Sequence, residues 1–132
     1  MLDTDISSYI IKQRPPTVLV RFQQVPRNEL CISVITLAEL LYGIELANSK
    51  TLNREVVDGY TSRLSIVPWS VGAAEQYGKL CALLKRQGQP IGVMDFLIAA
   101  YARSRGCIVV TNNVHHFSRI PDLVIENWAV EG

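Results

Sequence analysis

A chain of 132 residues, 48% hydrophobic and 19% charged, is long enough for one continuous core and too short for two, so residues 1–132 are read as a single domain. No apolar run reaches the length of a membrane span, and the N-terminus lacks the basic flank and long apolar core of a signal peptide, which makes the cytoplasm the expected location. A net charge of +1 singles out no class of partner. Cys31, Cys81 and Cys107 are odd in number, form no Cys-x-x-Cys and lie in apolar runs, so they are expected as buried free thiols in a reducing compartment.

Met1-Leu2 reads as a very short strand, Asp3-Thr4-Asp5 as a polar turn at its carboxyl end, and Ile6, Tyr9 and Ile10 as one face of a helix. Pro15-Pro16 breaks that helix and starts another over residues 17–25, before a turn at Pro26-Arg27-Asn28. Leu30 to Val34 is a second apolar strand. Thr36 and Glu39, three apart, then open a helix whose apolar residues, among them Leu40, Leu41, Tyr42, Ile44 and Leu46, leave little polar face, so it is expected to be largely buried. Asn48 to Asn53 is a polar connection to a helix over residues 54–64. Ser65-Ile66-Val67 is a third strand, and Ser70 caps a helix that ends at Gly88.

The stretch from Gln89 to Asn113 is the most informative. A loop leads into a helix opened by Val93-Met94-Asp95, with Met94, Leu97, Ile98 and Tyr101 at the spacing of one helical face and Gly106 placed as its C-cap. Ile108 to Thr111 is a fourth strand without polar alternation, ended by Asn112-Asn113, and Leu123-Val124-Ile125 is a last apolar run. Strands alternating with helices give a three-layer α/β/α sandwich with a mainly parallel central sheet.

In such sheets ligands bind outside the carboxyl ends of the strands. Asp3 and Asp5 follow the first strand, Ser33 and Glu39 the second, and Thr111 and Asn113 the fourth, while Asp95 opens the helix that leads into the fourth. Each acid also has a local explanation: Asp95 as a first-turn residue favoured by the helix dipole, Glu39 as the partner of Thr36 in a capping box. Together, several carboxylates at one apolar rim repel each other unless a cation meets them. Oxygen donors without Cys or paired His favour Mg²⁺, with Mn²⁺ as a substitute. The reaction class that follows is metal-assisted hydrolysis of a phosphodiester. Placing four of the 12 acids in one ion-loaded site leaves 8 against 13 Lys and Arg, which makes the outer surface basic and nucleic acid a plausible ligand. Lys85 and Arg86 are read first as solvated helix-end charges, and His115-His116 as a surface or turn-packing pair. Trp69 and Trp128 are assigned to packing rather than base stacking, and Tyr42 to a buried helix or a dimer surface.

Four blocks of sequence resemble the PIN domain, and more narrowly the VapC-type toxin ribonucleases of bacterial toxin–antitoxin pairs. They are Met1-Leu2-Asp3-Thr4-Asp5; Ser33 to Leu40 with Tyr42-Gly43; Gly88 to Asp95 continuing into Ile98 to Ala102; and Val109 to Asn113 with His116-Phe117. The resemblance implies that Asp3, Glu39 and Asp95 are the metal ligands, with Asn113 where many relatives carry a further Asp. Asp5, Thr111 and Ser33 take supporting roles; the last two are equally explained by strand-end hydrogen bonding. It also implies endonucleolytic cleavage of structured RNA, often tRNA, by water attack on phosphorus that leaves a 5′-phosphate. A homodimer and a cognate VapB-type antitoxin covering the acidic groove complete the expectation. Two competing readings are a haloacid-dehalogenase-type phosphatase using Asp3 and Asp5, and a catalytically inactive PIN-like protein-binding module.

Overall fold

The structure, a computed structural model, describes residues 1–130. Three segments make the centre of the molecule. Leu2 pairs in parallel with Val110, Leu2 N–H donates to Cys31 O at 2.9 Å, and Asp3 N–H donates to Val110 O at 3.0 Å. The first residues thereby lie between β1 (Cys31–Ser33) and β3 (Val109–Val110). Outside them, β2 (Ser65–Val67) pairs in parallel with β1, and β4 (Ile125–Glu126) with β3. The order across the sheet is β2, β1, the N-terminal segment, β3, β4.

Alternate residues of these strands point to opposite faces, and both faces are covered. Met1, Cys31 and Val109 belong to one apolar cluster with Ala73, Leu80 and Leu84 of α5 (Val71–Arg86) and Phe96 to Ala102 of α6 (Val93–Arg105). Leu2, Ile32 and Val110 belong to the other, with Ile6 and Ile10 of α1 (Thr4–Lys12), Val18 and Phe22 of α2 (Pro16–Gln24), and Tyr60 of α4 (Lys50–Thr61). This is the expected sandwich, with strands only two or three residues long carrying its middle layer. The very short first strand expected from the sequence lies between two neighbours that satisfy its backbone on both sides.

Several boundaries differ from the sequence reading. The helix after the second strand, α3 (Val34–Leu46), starts two residues earlier than expected and is capped by Ser33, whose hydroxyl accepts from Ile35 N–H at 3.1 Å. Thr36 is therefore inside the helix and fully buried, and the capping box with Glu39 does not form. α4 begins at Lys50, inside the stretch read as a polar connection, because a mostly polar segment still forms a helix when Leu52, Val56, Val57 and Tyr60 give it one apolar side. The expectation that α3 is largely buried fails: only Thr36 and Ile44 are, while Tyr42 and Leu46 are 67% and 69% exposed. An all-round apolar helix at the side of a small domain has more apolar surface than its own neighbours cover. Val93 and Met94, at the open start of α6, are also exposed, and the buried face falls on Phe96, Ile98, Ala99, Ala100, Tyr101 and Ala102. The cysteines are free, as expected, but each is half-buried rather than buried. Trp69 and Trp128 pack, as expected; Trp69 Nε1 donates to Leu97 O at 2.9 Å and Trp128 is 3% exposed.

The packed pair α5 and α6 closes over fully buried Leu80 and Leu84. Leu80→Ala is expected to lower unfolding free energy by about 3 kcal/mol through lost burial and a residual cavity, measured by urea denaturation with an unchanged m-value.

Candidate metal centre

Strand order reverses direction between the N-terminal segment and β3, since the chain leaves the first toward β1 and β2 and returns to build β3 and β4 on its other side. Such a switch point opens a crevice at the carboxyl ends of the strands. Asp3 ends the first strand there and Thr111 follows the second. Asp3 is the N-cap of α1 and 2% exposed, with Oδ1 accepting from Ile6 N–H at 2.8 Å. The Thr111 hydroxyl, fully buried, donates to the same carboxyl and accepts from Asn113 N–H at 2.8 Å. Burial outweighs these donors and pushes the Asp3 carboxyl up to about 7, with the charges of Asp5 and Asp95 raising it further.

Asp95 sits in the first turn of α6, its side chain 26% exposed, with Oδ2 at 3.0 Å from Asn113 Nδ2 and 3.6 Å from His116 Nδ1. Burial raises its carboxyl too, opposed by hydrogen bonds from His116 and Asn113 and reinforced by Asp5. Asn113 Nδ2 also lies 2.8 Å from His116 Nδ1. His116 Nδ1 accepts from the Asn113 amide when unprotonated and faces Asp95 as a donor when it carries the proton. Asn113, the N-cap residue of the short α7 (Val114–Phe117), orients Asp95 through its amide nitrogen.

Glu39 reaches the same rim from α3. Its Oε1 accepts from the Thr4 hydroxyl at 2.6 Å, and Thr4 Oγ1 lies 3.2 Å from Thr36 Oγ1. Asp3, Asp5 and Asp95 are close enough for their charges to act on one another, and Glu39 joins them through the residue between Asp3 and Asp5. Among the described residues, no three His, Cys, Asp or Glu side chains share a point where an ion could sit as they lie. Glu39 and Asp95 are each held on a neighbouring hydrogen-bond donor instead. The donor chemistry nonetheless suits a hard divalent ion: all the acidic groups are oxygen donors, and Asp3 and Asp95 are carboxyls raised by desolvation and by the charge of Asp5.

Ser33, fully buried, spends its hydroxyl on capping α3, so its strand-end explanation holds and it touches no acid. The sequence reading missed two members of this rim. Thr4 was passed over as a turn residue, and His116 was assigned to packing for want of an acidic partner nearby in sequence. Its partner, Asp95, comes from 21 positions earlier in the chain through the α6–β3 crossover. The signal available was the spacing of His116 three residues after Asn113, which one turn of helix places on the same side.

Away from this rim, a groove of about 530 Å³ between α5, α6 and Pro121 is lined by Lys79, Arg86 and Arg103. None of the three is in an ion pair among the described residues.

The PIN domain family model matches residues 1–123. The chain is 42% identical over 129 residues to the tRNA(fMet)-specific endonuclease VapC of Shigella flexneri, covering 98% of this chain and 97% of that protein. It is 44% identical over 128 residues to ribonuclease VapC2 of Haemophilus influenzae, covering 97% and 96%. Among solved structures, VapBC2 from Rickettsia felis bound to a promoter DNA fragment aligns with a TM-score of 0.91 at 38% identity over 97% of both chains. DNA-bound VapBC from Salmonella typhimurium aligns with a TM-score of 0.91 at 43% identity, covering 97% and 96%. A buried acidic rim at the switch point of a short parallel sheet, in a chain alike over nearly its whole length to these proteins, has one meaning: the chain belongs to the PIN domain family and, within it, to the VapC-type toxin ribonucleases.

Proposed function

We propose that this protein is a Mg²⁺-dependent endoribonuclease, the toxin of a toxin–antitoxin pair, that hydrolyses a phosphodiester of a structured RNA. The observation that carries the reading is the group Asp3, Asp5 and Asp95 at the sheet's switch point, where buried Asp3 is raised by the charges of Asp5 and Asp95, and half-buried Asp95 by that of Asp5. Relatives bearing the name tRNA(fMet)-specific endonuclease at 42% and 43% identity make a tRNA, and tRNA(fMet) first, the substrate to test. The basic groove of Lys79, Arg86 and Arg103 suits an RNA phosphate backbone.

Asp3, Asp95 and Glu39 would hold the ion, with Asp5 beside them. Bound there, Mg²⁺ supplies Lewis-acid polarisation of the phosphate and lowers the pKa of water at the site. The protein's own residues do the positioning. Thr111 fixes the Asp3 carboxyl against the end of β3, and Asn113 with His116 fixes that of Asp95. The Thr4 hydroxyl holds Glu39 at the rim. Mn²⁺ is the expected substitute for Mg²⁺.

The exposed apolar side chains of α3 and α4, Tyr42, Leu46 and Leu52, suit cover by a protein partner. The matching structures of relatives are VapBC complexes, which makes a VapB-type antitoxin and a toxin homodimer the partners to test. No helix among the described residues is long and apolar enough to cross a membrane, and RNA of this kind places the protein's work in the cytoplasm. The phosphatase reading is set aside by family membership, and by Asp3 Oδ1 being committed to the backbone of Ile6 rather than free as a nucleophile.

Three outcomes are expected. Asp95→Asn folds like the parent and loses at least about 100-fold in Mg²⁺-dependent RNA cleavage, as expected for loss of a charged ligand; full activity of the purified variant rejects the assignment. Glu39→Gln weakens Mg²⁺ binding about 10-fold or more in titration calorimetry while thermal stability stays close to that of the parent, since an amide still accepts from Thr4. The third concerns pH. A carboxyl near 7 when folded and near 3.9 when unfolded holds more protons in the folded state between those values, so stability falls as pH rises from about 4 through 7. In chelator at pH 8, Asp3→Asn is therefore expected to be more stable than the parent by roughly 2 kcal/mol, with the difference vanishing near pH 4 in denaturant titrations.

A further inference from the structure

Beside the acidic rim, a chain of hydrogen bonds links three polar side chains that hold none of the acids. Thr111 N–H donates to Glu126 O at 2.9 Å, so the residues that follow them, Asn112 and Asn127, leave the ends of β3 and β4 side by side. Ala129 N–H donates to Asn127 Oδ1 at 2.9 Å, Asn127 Nδ2 to Asn112 Oδ1 at 3.1 Å, and Asn112 Nδ2 to the Tyr9 hydroxyl at 3.2 Å. A backbone N–H can only donate, so it fixes which end of Asn127 is oxygen and, through that amide, the orientation of Asn112. One hydrogen is left on each amide nitrogen and one on the Tyr9 hydroxyl, and among the described residues none of the three meets an acceptor. Asn112 is exposed, whereas the half-buried Tyr9 ring packs against the second apolar cluster and offers only its hydroxyl. These donors stand next to the acids. Asn112 lies between Thr111, which donates to Asp3, and Asn113, which donates to Asp95. Tyr9 comes four residues after Asp5 on α1 and so shares its side of that helix.

We propose, on the reading of the rim as a centre that acts on RNA, that Asn112, Asn127 and Tyr9 form a base-reading subsite for an unpaired guanine next to the scissile phosphate. Sequence in RNA is read mainly on unstacked loop bases, through hydrogen bonds to their Watson–Crick and Hoogsteen edges. No Lys or Arg belongs to the array, and a phosphate is held best by charge-assisted bonds, so these neutral donors suit a base edge. Both amide oxygens are committed along the chain, which leaves N–H and O–H groups to face the ligand. Guanine answers them with two neighbouring acceptors, O6 and N7. Adenine and cytosine would set an amino group against these hydrogens, and uracil has a single acceptor on the corresponding edge. Asn127 and the backbone of Ala129 hold Asn112 in place, so the amide that reads the base is oriented before RNA arrives.

The test is a library of hairpin RNAs with a randomised loop, bound in Mg²⁺ to the purified full chain carrying Asp95→Asn and, separately, cut by the parent protein, with the bound RNA and the products sequenced. Guanine is expected to be enriched at one loop position in the bound fraction, and at the same position beside the cut among the products. Replacing that guanine by 7-deazaguanine, which lacks the N7 acceptor, is expected to weaken binding about 10-fold. Tyr9→Phe and Asn112→Ala, each added to Asp95→Asn, are expected to cost about 10-fold in binding of the guanine hairpin and nothing in binding of hairpins without it. Neither substitution, made in the parent, changes Mg²⁺ affinity in titration calorimetry. Guanine-preferring binding without cleavage by the parent supports the subsite and counts against the nuclease reading. Failure to bind the library, binding with no base preference, preference for another base, a guanine preference that survives either substitution, or an equal loss on all hairpins overturns the proposal.

Discussion

The insertion of the first three residues between β1 and β3 is the contact on which the rest depends. Each of the two flanking strands pairs with one further strand only, so without Leu2 the middle layer is two separate ribbons. Two-stranded ribbons are marginal on their own. The hydrogen bonds of Leu2 to Cys31 and of Asp3 to Val110 join them, and the same segment divides the core, Met1 into one cluster and Leu2 into the other. Asp3 is buried because the strand it ends lies in the middle of the sheet. Its raised carboxyl is thus a consequence of topology, and so is its nearness to Asp95 and Thr111.

Around that point each acid of the rim is held by neighbouring polar groups. Thr111 serves Asp3, Asn113 and His116 serve Asp95, and Thr4 serves Glu39. Each acid has a neighbour that satisfies part of its demand for hydrogen bonds without neutralising it. Charge compensation is the demand left over, and a hard divalent ion answers it with oxygen ligands alone. A strand end, the first turn of α6 and the second turn of α3 supply the three acids, all rigid elements rather than loops.

Much of this was legible in the sequence. The alternation of short apolar runs with helices gave the sandwich, and the rule that ligands gather at the carboxyl ends of parallel strands gathered Asp3, Glu39 and Asp95 before any contact was known. What sequence could not resolve were choices between neighbours that chemistry leaves nearly equal. Ser33 and Thr36 are both good caps, and the strand's early end decided for Ser33. The apolar run from Leu37 to Ala47 states that the helix shuns water, but not that this domain is too small to cover it. His116 had no acidic neighbour in sequence; its partner arrives only through the crossover from α6 to β3.

The bare side of α3 has an energetic corollary. Tyr42, Leu46 and, on α4, Leu52 stand in water at 60–69% exposure. Covering apolar area is worth roughly 25 cal/mol for each Å², so whatever sheathes these side chains adds to the unfolding free energy by mass action. The melting point of this chain is accordingly a property of its surroundings: it climbs with the concentration of a covering molecule, and dilution alone returns it to the value of the naked chain.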